Sequence, residues 1–368
     1  MKTSSLGDVV HQCPAVSDAV RNLPPYDPPS NGREGLRLDL NENTAGCSPR
    51  VLARLRELTP QEVASYAERE PAEAAVAEFL RIQSGEMLLT NGVDEAIHLL
   101  CETFLEPQDE VLIPVPTFVM YEISAAATGA RVIAVPADDS FRFPAARLLS
   151  HITSRTRLIL VANPNNPTGA VARPDDLLEI ARCAPNAAIL IDEAYFEFYG
   201  KTLLPEWRNL PNLFLARTFS KAYGLAGLRV GVLAGNEAQI QMVRRAVTPF
   251  NVNSVALACV PAALADQEFV RQYVAQVVAG RERLQEQLRC CGIVSWPSQG
   301  NFVLARVGSQ HLALIQGLRQ RGILVRDRSR DHGCEGCVRI TIGTEEQTDS
   351  LLAAIRAVLD QIGVGSAT

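Results

Sequence analysis

Lys221 stands in the stretch "TFSKAYGLAGLRVG" (218–231), behind two hydroxyls, Thr218 and Ser220, and ahead of Arg229, with little other charge nearby. An amine held among apolar neighbours has its charged form disfavoured, which makes it a nucleophile near neutral pH. Two hydroxyls and a guanidinium are groups that bind phosphate. Asp192 closes the apolar run of "AAILIDEAYFEF" (187–198), where a carboxylate is costly unless it meets a cation or a strong donor. It is either paired structurally or holds a protonated ligand nitrogen. "ANPNNPTGAV" (162–171) sets three asparagines and two prolines in a rigid turn that leaves amides exposed. "NGVDEAIHLL" (91–100) points the backbone N–H groups of Gly92, Val93 and Asp94 at whatever lies above a strand, a ready anion site, although an ordinary helix cap reads the same way. A surface lysine is likewise the plain alternative for Lys221 alone. Taken in order, a lysine, an acid, a phosphate cup and an aromatic such as Phe118 or Tyr195 are what pyridoxal phosphate asks of a protein.

These residues need elements that bring them together. Nearly continuous aliphatic runs occupy residues 86–90, 110–116, 131–136, 157–164, 187–195, 213–220 and 229–235, the pattern of strands covered on both faces. Helical patterns such as "NGVDEAIHLLCETFLE" and "RPDDLLEIARCA" lie between them. Alternating strands and helices predict an α/β fold with a mostly parallel, doubly wound sheet of seven strands, a three-layer αβα arrangement. Ligands of such sheets bind beyond the carboxyl ends of the strands, where Asn91 and Gly92, Pro116 to Phe118, Asn163 to Gly169, Asp192 to Tyr195 and Thr218 to Lys221 all fall. After about residue 255 the composition turns helical, and "GNFVLARV", "GILVRDR", "CVRITIG" and "EEQTDSLLAAIRAVLDQIG" read as a smaller α+β domain. The four prolines of "NLPPYDPPSNG" predict an extended arm rather than a helix. The expected division is an N-terminal arm over 1–44 packing with the small domain, a large domain over 45–265 and a small domain over 266–368.

A chain of 368 residues exceeds the roughly 250–300 that one core serves, which agrees with two lobes. With 47% hydrophobic and 21% charged residues, no run approaches the ~20 apolar residues that cross a bilayer. No secretory or lipidation signal is legible, so a cytoplasmic protein without membrane contact is expected. A net charge of −6 argues against a broad nucleic-acid surface but not against a local cationic pocket. Nine cysteines in such a chain are expected to be mostly buried, unpaired thiols. Cys334 and Cys337 have a suggestive spacing, yet no second pair completes a zinc site.

In the segments "RNLPPYD", "LDLNEN", "TNGVDEAIHLL", "PVPTFVMY", "NPNNPTG", "IDEAYFEF", "RTFSKAYGLAGLRVG", "GILVRD" and "CVRITIG" the chain resembles the fold-type I aminotransferases dependent on pyridoxal phosphate, most closely the histidinol-phosphate group, over nearly its whole length. The resemblance implies that Lys221 carries the cofactor as a Schiff base and works as proton carrier in a ping-pong transamination. It implies that Asp192 pairs with the pyridine nitrogen, that Asn166 and Tyr195 hydrogen-bond the ring hydroxyl, and that Phe118 stacks on the ring. The phosphate would rest on Gly92, Val93 and Asp94 with Thr218, Ser220 and Arg229. Tyr66 would reach the cofactor phosphate of a neighbouring subunit, which implies a homodimer with composite sites. Relatives often have proline after that tyrosine, whereas this chain has Ala67.

Substrate binding would rest on Tyr26, Asn166, Arg326 and Arg339, with two guanidiniums matching a dianion. The implied reaction converts L-histidinol phosphate and 2-oxoglutarate to imidazole-acetol phosphate and L-glutamate, in histidine biosynthesis. Two other activities fit the same inventory: transamination of aromatic amino acids and decarboxylation of phosphothreonine. A non-catalytic regulator is a further alternative, disfavoured by the intact Lys221 and the lack of an added DNA-binding domain.

Overall fold

Alternating inward-facing and outward-facing residues of the long apolar runs bury both sides of one sheet. A computed structural model describes residues 14–21, 23 and 34–363 of the protein. In chain order the strands are β1 Leu36–Leu38, β2 Met87–Thr90, β3 Glu110–Val115, β4 Arg131–Pro136, β5 Thr156–Ala162, β6 Ala188–Asp192, β7 Leu213–Thr218, β8 Gly231–Gly235, β9 Val294–Ser295, β10 Phe302–Arg306, β11 Ile323–Asp327 and β12 Cys337–Thr341. The seven runs expected to be strands are β2 to β8. They form one sheet in the order β2-β8-β7-β6-β5-β3-β4. Only β8 runs against its neighbours, β2 and β7, so the sheet is mostly parallel as expected.

Leu89, Leu112, Ile159, Ile189 and Leu215 enter one core, and Leu88, Val111, Leu158, Leu190 and Phe214 enter the other. Full burial of each such side chain stabilises the fold by roughly 1.5–3 kcal/mol, which is why these strands show no polar alternation. The helix Gly92–Phe104 follows β2, packing Val93, Ala96, Ile97 and Leu100 into the second core.

The smaller sheet has the order β1-β11-β12-β10-β9. Its strands β10, β11 and β12 were legible in the sequence. β1 and the two-residue β9 were not, and β1, from the N-terminal part of the chain, pairs in parallel with β11. The helical stretch after residue 253 is two helices, Ser254–Leu264 and Gln267–Cys290, separated at Ala265 and Asp266. The closing helix Glu345–Gln361 starts in a capping box between Thr344 and Gln347. One expectation needs correction: the arm contains a helical turn, Asp18–Arg21, tied by an Arg21–Asp18 ion pair ahead of the prolines. Cys101, Cys259, Cys334 and Cys337 are buried, whereas Cys183 and Cys290 are exposed. Among the described residues all cysteines are free and no group of side chains forms a metal site.

Candidate active site

The carboxyl ends of β5, β6 and β7 and the start of the helix Gly92–Phe104 converge on a cavity of about 140 Å³. Val93, Asp94, Phe118, Asn166, Asp192, Tyr195, Thr218, Ser220, Lys221 and Arg229 all line it. Lys221 Nζ donates to the Leu40 carbonyl at 3.1 Å and sits 5.9 Å from the centre of the Tyr195 ring. Burial, aided by the positive Arg339, pulls its pKa from 10.5 to about 8. Asp192 is 5% exposed. Its carboxylate accepts from Tyr121 Oη at 2.7 Å and from the Ala194 N–H at 2.9 Å. Burial outweighs both donors and pushes its pKa from 3.8 up to about 6. The site thus sets an amine whose pKa is lowered and a carboxyl whose pKa is raised around one cavity.

The residues expected to hold phosphate are grouped at one end. Thr218 Oγ1 accepts from the Ser220 N–H, and the buried Ser220 Oγ has no hydrogen-bond partner among the described residues. Arg229 has a left-handed backbone, φ 53°, and its guanidinium donates to Asp94 at 2.8 Å. Gly92 has φ 75°, and a Cβ there would lie 2.7 Å from Arg229 Nη2. Glycine therefore leaves the helix start open to the guanidinium. In the asparagine turn only Asn166 faces the cavity. Asn163 accepts from the Ala172 N–H, and Asn165 donates to Pro116 O and Thr168 Oγ1, so both brace the loop.

Arg339, on β12, is 5% exposed and donates to Asn166 Oδ1 and to the Asp39 carbonyl, both at 2.6 Å. Arg326 lies opposite it on β11 but lines a separate hollow with Asp39, Arg319 and Arg330. Tyr66 is outside the cavity, 81% exposed and stacked on Phe250 at 4.3 Å. Tyr26 lies outside the described residues. Sequence reasoning gave no role to Tyr121, one helical turn past Phe118, nor to Asn41, whose Nδ2 donates to Tyr195 Oη at 2.9 Å. "PVPTFVMY" and "LDLNEN" were the only signals for these two.

The family model for aminotransferases of class I and II matches residues 33–355. The chain belongs to that family. This aminotransferase is 34% identical over 362 residues to histidinol-phosphate aminotransferase of Geobacillus sp. (strain WCH70), covering 94% of its own length and 98% of the relative. It is 36% identical over 363 residues to the enzyme of the same name from Geobacillus thermodenitrificans, again covering 94% and 98%. Among solved structures, histidinol-phosphate aminotransferase from Sinorhizobium meliloti, in complex with pyridoxal-5'-phosphate, superposes with a TM-score of 0.87 at 25% identity, over 96% of this aminotransferase and 99% of that chain.

Proposed function

We propose that this aminotransferase moves an amino group from L-histidinol phosphate to 2-oxoglutarate, yielding imidazole-acetol phosphate and L-glutamate, with pyridoxal phosphate as cofactor. Identity of 34% and 36% to two histidinol-phosphate aminotransferases over 94% of the chain carries the substrate reading. The fit of the cofactor rests on the site itself: a buried Ser220 hydroxyl without a partner, a helix start kept open by Gly92, and one amine and one carboxyl in a single cavity.

Bound pyridoxal phosphate supplies an electron sink for charge developing at a substrate Cα. Lys221 would hold the cofactor, and its Nζ, once free as an amine, would take the proton from the substrate Cα and carry it within the cavity. A pKa near 8 suits an amine that must accept and release a proton near neutrality. Asp192, oriented by Tyr121 and the Ala194 N–H, would hold the ring nitrogen in its protonated form. Asn166 and Tyr195 would bind the ring hydroxyl, Phe118 would lie against the ring, and Thr218, Ser220, Arg229 and the N–H groups of Gly92 to Asp94 would hold the phosphate. Arg339 would receive an anionic group of each substrate, and Arg326, which borders the adjoining hollow, and Tyr26 are proposed to complete the site for the donor's phosphate.

On this reading the enzyme is a cytoplasmic homodimer in which Tyr66 completes the neighbour's phosphate site, which accords with a tyrosine 81% exposed in one subunit. The arm spans 1–44, the large domain 45–265 and the small domain 266–368. No helix among the described residues is long and apolar enough to cross a membrane.

A donor panel tests the proposal. With 2-oxoglutarate as acceptor, glutamate should form fastest from histidinol phosphate and much more slowly from phenylalanine or tyrosine, and phosphothreonine should release no carbon dioxide. Faster turnover of phenylalanine, or carbon dioxide from phosphothreonine, would overturn it.

A further inference from the structure

The small sheet carries a third guanidinium, Arg328, beside Arg326 and Arg339. Arg326 and Arg339 are directly opposite in the β11–β12 register, and the ladder runs on past β11, since the Arg328 N–H donates to the Cys337 carbonyl at 3.0 Å. Strand alternation then puts Arg326, Arg328 and Arg339 on one face. That face meets the site: Arg339 reaches Asn166, and Phe302 of β10 packs edge-on against Tyr195 at 5.1 Å.

Arg328 is only 12% exposed at its side chain. Its Nη2 pairs with Asp331, and its buried Nε has no hydrogen-bond partner among the described residues. Asp331 itself belongs to a loop that comes close to the site at Phe118, because Arg330, Asp331 and His332 share a hollow with Thr117 and Phe118, and Phe118 also lines the cavity. Arg328 is close enough to be felt inside the site. After burial, it is the foremost influence holding Arg339 below its ordinary pKa, at about 10. A buried cation beside a second cation is expensive unless an anion arrives. Arg326 adds a further positive charge near Arg339 and Asp331 a negative one, so the cluster keeps an excess of positive charge.

We propose that Arg328 is a specificity-determining residue: held in place by Asp331, its guanidinium shares the phosphate of the amino donor with Arg339. This rests on the proposed use of histidinol phosphate and adds the residue that selects its phosphorylated form. An incoming phosphate would give the Nε donor its partner and relieve the repulsion between the two guanidiniums.

The test is the isolated first half-reaction of the holoenzyme, followed by the change in cofactor absorbance without 2-oxoglutarate, with histidinol phosphate compared with histidinol. The parent should prefer the phosphorylated donor. Arg328→Gln should shrink that preference at least tenfold, through the phosphorylated donor, while Arg328→Lys regains part of it. A merely structural role would slow both donors alike. If the parent prefers the phosphorylated donor and Arg328→Gln keeps the same ratio, the role of Arg328 is overturned alone. A parent indifferent to the phosphate would overturn the substrate reading and this proposal together.

Discussion

Arg339 of β12, in the small sheet, donates to the side-chain oxygen of Asn166, on the loop after β5 of the large sheet, at 2.6 Å. The contact fixes the direction of the guanidinium across the gap between the sheets. A lysine would keep the charge but lose the forked geometry and one of the two hydrogen bonds, the other going to Asp39 O. Hydrogen bonds to charged groups are worth about 1.5–3 kcal/mol, so Arg339→Lys should lower kcat/KM about ten- to hundredfold. The loss should appear in both half-reactions when histidinol phosphate and glutamate are assayed separately. A loss confined to one would show that the two substrates do not share this group.

Ser220 offers a prediction with opposite signs in two states of the enzyme. Its Oγ is buried without a partner among the described residues, an arrangement that costs about 1–3 kcal/mol. Ser220→Ala should therefore leave the cofactor-free chain as stable as the parent or more so in urea unfolding. The same substitution should weaken binding of pyridoxal phosphate roughly tenfold, measured by fluorescence titration. Loss of stability without cofactor would show that the hydroxyl serves the fold.

Protonation supplies a third prediction. The folded chain holds Lys221 near pKa 8 against 10.5 for the free side chain. Between those values the unfolded chain binds the proton and the folded one does not, so the stability of the cofactor-free enzyme rises with pH through that window. The cost of burying the charged amine is complete below about pH 8 and amounts to at most about 3 kcal/mol. Lys221→Met should remove the rise. Asp192 has the reverse sign: its pKa is raised from 3.8 to about 6, so the folded state holds the extra proton and stability falls as pH climbs between those values. Asp192→Asn should flatten that fall, and denaturant midpoints from pH 4 to 10 would report both.

The proposed composite site can be checked by mixing subunits. Lys221→Ala and Tyr66→Ala homodimers should both be poorly active, whereas co-expressed hybrids carry one site with Lys221 and a partner's intact tyrosine. Recovery toward half the parent activity in purified hybrids supports the arrangement. Hybrids no more active than the homodimers would remove Tyr66 from the neighbour's site.

What the sequence made legible follows a physical line. β2 to β8 were readable because strands covered on both faces need unbroken apolar runs. The strand-end residues Asp192, Thr218 and Lys221 were readable because polar groups there are conspicuous against those runs. Asn41 was opaque, since its partners Tyr195 and Thr341 are far away in the chain and no local pattern announces them. β1 was opaque too, because three residues make no periodicity and only β11 gives the segment its shape. Arg326 was read by its motif, but no motif foretold the hollow it lines with Asp39, nor the loop that brings Asp331 to Arg328.

The segment following β1 is held by residues that come much later in the chain. Asp39 O accepts from Arg339, Leu40 O from Lys221 and Asn41 O from Asn301, while Asn41 Oδ1 accepts from Thr341. These partners are translated long after residues 39–41, so the large sheet can assemble while that early stretch still waits for strands not yet made. A nascent chain stopped before β12 would contain Lys221 and Asp192 yet lack the contacts that close the site around them.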